Sequence, residues 1–152
     1  MVKKLIKSLL FFGLISLLSS YTGIFCKREG IKGNIYRVSG NRMPSPGEPL
    51  PAPQPLATTL YIYELTNISQ VKKADKGSFY TTVSTKLIKE VKADKKGRFK
   101  VKLPPGQYSL FIKKDALFYA NIFDDKNNLY PITVEKGRYT TVDVKADYGA
   151  VY

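Results

Sequence analysis

Between residues 98 and 113 the side chains alternate. Phe99, Val101 and Leu103 are interleaved with Arg98, Lys100 and Lys102; further on, Tyr108, Leu110 and Ile112 face one way and Gln107, Ser109 and Lys113 the other. A period of two marks strands with one buried and one wet face. Pro104, Pro105 and Gly106 separate the two runs, because proline has no amide hydrogen for a ladder. Ahead of them, Asp94 to Gly97 is a turn, in which Asp bonds its own backbone and Gly accepts a positive φ. Gly106-Gln107-Tyr108 has the look of a tyrosine corner, where a strand-start hydroxyl ties back to nearby backbone. The same alternation predicts strands over 31–38, with Gly33 a candidate bulge, and over 59–65, with Leu60 and Ile62 opposite Tyr61 and Tyr63. It also predicts a strand over 81–92, interrupted at Lys89, and closing strands around Tyr130, Ile132 and Val134 and around Val142 and Val144. Residues 116–123 fit a strand or a strand entering a short helix. The chain reads as all-β: a Greek-key sandwich of about seven strands.

Two connections stand out. Residues 39–57 carry Pro44, Pro46, Pro49, Pro51, Pro53 and Pro55, a spacing that favours extended, polyproline-like backbone. Residues 66–80 form a polar insertion in which Asp75-Lys76-Gly77-Ser78-Phe79 echoes the turn at Asp94 to Phe99. Asp124 to Asn128 makes a further turn; Lys126 lies among its oxygen ligands and no spaced acidic loop follows, so calcium is not expected.

The run Asp94-x-x-Gly97-x-Phe99, followed by Leu103-Pro104-x-Gly106-x-Tyr108-x-Leu110, resembles the carboxypeptidase regulatory-like domain, a transthyretin-like (prealbumin-like) β-sandwich. Gly33 to Tyr36 fits that family's first strand, and the Pro-containing loop and Leu60 to Tyr63 follow in the family's order. The resemblance spans roughly residues 30–145 and departs at the long Pro-rich loop and at the insertion after Leu65. It implies a sandwich whose structural motif is Asp94, Gly97, Phe99, Leu103, Pro104, Gly106 and Tyr108.

The beginning of the chain differs in character. Lys3, Lys4 and Lys7 precede an apolar run over 8–18, the pattern of a signal peptide over 1–26. The expected mature domain is 27–152, exported to a periplasmic, cell-envelope or extracellular setting. Cys26, the single cysteine, is a candidate for lipidation and membrane association, although the large Phe25 before it favours ordinary cleavage. One cysteine permits no intrachain disulfide, so the core must hold the fold.

Without the leader, 22 basic residues face 12 acidic ones, a net charge of +10. Lysines interleaved along strands make a solvated face that resists aggregation. No nucleic-acid-binding signature accompanies the charge, so nucleic acid is not an expected partner. The sequence has no histidine, which excludes Ser-His-Asp and Cys-His catalysis and His-ligated zinc. No spacing singles out a carboxylate pair, and no cofactor is implied. The expectation is a non-catalytic interaction module that binds a protein partner. The alternative is a carbohydrate-binding module, with Tyr61, Tyr63 and Phe111 as the ligand-facing aromatics.

Overall fold

The computed structural model describes residues 28–43, 47 and 49–152; the leader, Cys26, and Pro44 and Pro46 lie outside them. Their strands are β1 (Gly30–Asn41), β2 (Gln54–Pro55), β3 (Thr59–Glu64), β4 (Val71–Lys73), β5 (Phe79–Val83), β6 (Leu87–Lys92), β7 (Arg98–Lys102), β8 (Gly106–Lys114), β9 (Leu117–Tyr119), β10 (Pro131–Val134), β11 (Tyr139–Thr141) and β12 (Val144–Val151). They form a five-stranded and a seven-stranded sheet. The segments outnumber the expected seven strands in part because long runs are interrupted. β5 and β6 are one run broken at 84–86; β11 and β12 are another, broken at 142–143.

β1 is the hub of the smaller sheet. Its first half pairs antiparallel with β7 and parallel with β11; its second half runs parallel to β12. The Pro-rich loop folds back so that Gln54 and Pro55 pair with Arg37 and Tyr36, and the Leu56 amide donates to the Ile35 carbonyl at 2.9 Å. Ile31 and Ile35 of β1, Phe99 and Val101 of β7 and Val144 and Ala146 of β12 point inward. Leu60, Ile62, Leu110 and Ile112 of the larger sheet join them in one buried cluster. Each large apolar side chain removed from water in this way contributes about 1.5–3 kcal/mol.

The larger sheet runs β4-β5-β9-β8-β3-β6, with β10 beside the start of β8. Laid flat, β5 and β6 would stand about 19 Å apart at the usual strand spacing, yet the chain from Val83 to Leu87 reaches about 14 Å at most. The run 79–92 therefore arches over the outward face of β8, from β9 on one side to β3 on the other. Beneath the arch Tyr63, Tyr80, Phe111 and Phe118 meet edge to face: Tyr63–Phe111 centroids are 5.5 Å apart, Tyr63–Phe118 5.7 Å and Tyr80–Phe111 6.3 Å. Polar bonds pin the crossing. The Ser109 hydroxyl accepts from the Thr66 amide at 2.9 Å, and the hydroxyls of Thr66 and Thr85 share a hydrogen bond of 2.6 Å. This second core is why residues 108–112 of β8 are all buried, where simple alternation predicts every other one.

The turns follow local chemistry. The Asp94 carboxylate accepts from the amides of Lys96 and Arg98, each at 2.9 Å, while Gly97 takes φ 73°. The Tyr108 hydroxyl donates to the Pro104 carbonyl at 2.9 Å, the bond of a tyrosine corner. Gly33 marks a close approach and no bulge: the register from Lys32–Thr141 to Ile35–Val144 is unbroken, and a Cβ on Gly33 would lie 1.8 Å from the Val142 carbonyl oxygen. In place of a helix, 116–123 supplies only β9 and then irregular backbone ending in a bridge between Phe123 and Leu129. The β8–β9 hairpin turns through Asp115 and Ala116 at φ 50° and 67°, the positive pair a type I′ turn requires. Since an L-residue there costs roughly 1–2 kcal/mol, Ala116→Gly is expected to raise stability by about 1 kcal/mol, read as a higher Tm.

Candidate functional site

A cleft of about 520 Å³ opens between β12 and the β5–β9 part of the larger sheet, with Lys76, Phe79, Tyr119, Asn121, Asp147 and Tyr152 among its lining residues. Its geometry begins with a bulge. Arg37 pairs with Ala146 and Ser39 with Gly149, so that Asp147 and Tyr148 together oppose Val38 alone. Bulges are rare in parallel pairs, and they re-aim side chains. Here both residues of the bulge line the cleft.

Asp147 is the polar centre. One carboxylate oxygen accepts from the Tyr119 hydroxyl and from Asn121 Nδ2 at 2.7 Å, and the other from the Tyr152 hydroxyl at 3.1 Å. All three donors are neutral, and among the described residues no cation forms an ion pair with this carboxylate. Because Asn121 gives its amide hydrogens to Asp147, its Oδ1 is turned away; that atom is buried and has no hydrogen-bond partner. Tyr148 walls the cleft, its ring 5.3 Å from Tyr119 and 5.8 Å from Phe79. The Lys114 ammonium lies 4.4 Å from the Tyr148 ring centroid, a cation–π contact.

Burial, reinforced by the bond to Asp147, pushes the Tyr119 phenol far above its usual range. The bond to Asp147 also raises Tyr152, which is 73% exposed. Burial lifts Tyr63, Tyr80 and Tyr108 too, and takes Tyr130 up to about 12. The sign follows from linkage: the native state holds these protons more tightly than the unfolded chain, so their stabilisation is complete below about pH 10 and is lost as pH rises further. Thermal melts at increasing alkalinity should show a constant Tm up to about pH 10 and a steep fall above it, coincident with the rise of phenolate absorbance.

The sequence candidates fall elsewhere. Phe111 is 1% exposed and Tyr63 7%, both under the arch, so neither faces a ligand. The reason is the insertion after Leu65, whose hairpin leads into the arch that covers their face. Tyr61 is half-buried at the rim, with the Lys113 ammonium 4.9 Å from its ring. Asp94, Gly97, Phe99, Leu103, Pro104, Gly106 and Tyr108 lie in the β7–β8 hairpin and the turn before it, away from the cleft, and act in the fold. Asn67, the first residue of an Asn-Ile-Ser sequon, caps a 3-10 turn and donates from Nδ2 to the Lys126 carbonyl at 2.7 Å. Asp124 is taken up by its own turn, accepting from the Asn128 amide at 2.7 Å and from Asn128 Nδ2 at 2.8 Å. Sequence reasoning missed Asp147, Asn121 and Tyr119. Its one trace of the bulge is in β1, where the buried positions slip from Ile31 and Ile35 to Val38.

No family model, no curated protein and no solved structure matches this chain. What the fold and the site define is a class: an all-β protein of two sheets, with an aromatic-walled cleft lined by Asp147 between β12 and the β5–β9 strands.

Proposed function

We propose that the chain is an exported, non-catalytic binding module of the carboxypeptidase regulatory-like kind, with the Asp147 cleft as its recognition site and a neutral, hydroxyl-rich glycan as its ligand. The observation that carries this is the mixture of groups in one cleft. Asp147 accepts hydrogen bonds, Lys76 donates them, and Phe79, Tyr148 and Tyr152 supply aromatic surface. A cationic ligand would meet Lys76 and an anionic one Asp147. A sugar hydroxyl donates and accepts at once, and its ring presents apolar C–H edges to aromatic walls. Among the described residues Asp147 is the only carboxylate in the lining, which supports binding over catalysis by a carboxylate pair.

A protein partner is the second reading, favoured by the outer edges of β6 and β12. Among the described residues each pairs with another strand on one side only, so an extended segment could add to the sheet there. Binding of the full chain to a glycan array at low and physiological salt separates the two. Salt-resistant capture of a defined neutral glycan is the expected result. Capture of acidic glycans alone, lost as salt rises, would mean that net charge acts non-specifically and would overturn the glycan reading.

A further inference from the structure

The outward face of the smaller sheet carries a charge pattern that neither the fold nor the cleft accounts for. Lys32 of β1 stands directly opposite Lys100 of β7, and Lys102 follows opposite Gly30. On the other flank of β1, Lys145 stands opposite Tyr36 and Tyr139 opposite Gly30. All four lysines are exposed. Like charges at opposed positions of neighbouring strands destabilise the pair. The acids nearby do not relieve the opposed pair Lys32 and Lys100. Asp94 is paired with Arg98 at 2.7 Å, Asp143 accepts from the Asn34 amide and side chain, and buried Glu29 accepts from the Gly137 amide. Among the described residues no carboxylate forms an ion pair with Lys32, Lys100 or Lys145. Lys100 instead rests over the Tyr139 ring, 4.6 Å from its centroid.

We propose that this face docks on an anionic phospholipid surface. Two observations favour a lipid surface over a soluble polyanion. The face is an open sheet whose cations spread over three neighbouring strands, which suits a plane better than a thread. Tyr36 and Tyr139 are set among the lysines, and amphipathic aromatic rings settle at headgroup level. Each basic residue near an anionic membrane surface adds to the attraction.

The test is co-sedimentation of the full chain with vesicles of phosphatidylcholine alone and with added phosphatidylglycerol, at low and high salt. Any contribution of the apolar run is common to all variants, so the difference between vesicle types reads the basic face. The wild type should prefer the anionic vesicles at low salt and lose that preference at high salt. At about fivefold per lysine, Lys32→Ala with Lys100→Ala should weaken anionic-vesicle binding roughly 25-fold. Lys72→Ala with Lys73→Ala, the same loss of charge on β4 of the other sheet, should change it less than about twofold. Circular dichroism melts should show both pairs folded. Equal losses from the two pairs would overturn the proposal in favour of net charge, and indifference to vesicle charge would overturn it outright. Vesicles left unbound while dextran sulfate is held through Lys32 and Lys100 would overturn it in favour of an anionic polymer.

Discussion

Phe111→Ala is expected to lower stability by about 3–5 kcal/mol, a large part of the roughly 5–15 kcal/mol that holds an ordinary domain. Its ring is packed edge to face against Tyr63, Tyr80 and Phe118, and the arch above it is tied down by Ser109, Thr66 and Thr85, so the vacated space cannot collapse freely. Urea unfolding of the variant should give a lower midpoint. Tyr61→Ala, at the rim of the same aromatic row, should cost far less, about 1 kcal/mol. Were the face open, the two substitutions would be similarly mild. The pair therefore reports directly on whether the insertion after Leu65 builds a second core.

Gly97→Ala should be the next most damaging change. A Cβ there would lie 2.4 Å from the Ile35 carbonyl oxygen, and that backbone is held in place: the Ile35 amide donates to the Gly97 carbonyl at 2.8 Å and the Ile35 carbonyl accepts from the Leu56 amide at 2.9 Å. Overpacking of about 1–3 kcal/mol adds to a left-handed penalty of roughly 1–2 kcal/mol. Gly77 occupies the echoing turn at φ 47°, but a Cβ on it would meet nothing within 4 Å. Gly77→Ala should thus show the backbone penalty alone, about 1–2 kcal/mol. Chemical denaturation of the two variants separates close approach from φ. Equal losses would mean that the contact with β1 carries no weight.

That contrast shows where the sequence is informative. The turn at Asp94 and the strand at Phe99, Val101 and Leu103 were readable because short-range chemistry sets them: an Asp side chain, a Gly and a period of two. The same turn signature at Asp75 gave no hint that one glycine abuts a neighbouring strand and the other faces solvent, since that depends on residues some sixty positions away in the chain. The β8–β9 turn was missed because Asp115 and Ala116 lack the Asn-Gly signal its φ values call for. The arch was missed for a topological reason. Residues 84–86 are too few to reveal that they cross a strand, so Phe111 and Tyr63 read as a wet aromatic row when they are a core. The cleft was least readable of all. Asp147, Asn121 and Tyr119 come from β12, from irregular backbone and from β9, and only the bulge opposite Val38 brings Asp147 to the others.

The cleft is the centre of this account, and the affinity of its central carboxylate for a ligand is the most direct test. The neutral glycan selected on the array would be titrated by calorimetry into the full-length wild type and into Asp147→Asn, which keeps the shape of the side chain and removes its charge. Hydrogen bonds to a charged group contribute about 1.5–3 kcal/mol, so the variant should bind about 10- to 100-fold more weakly, and circular dichroism at the titration temperature should show it folded. Unchanged affinity in a folded Asp147→Asn protein would contradict the assignment of this cleft as the recognition site.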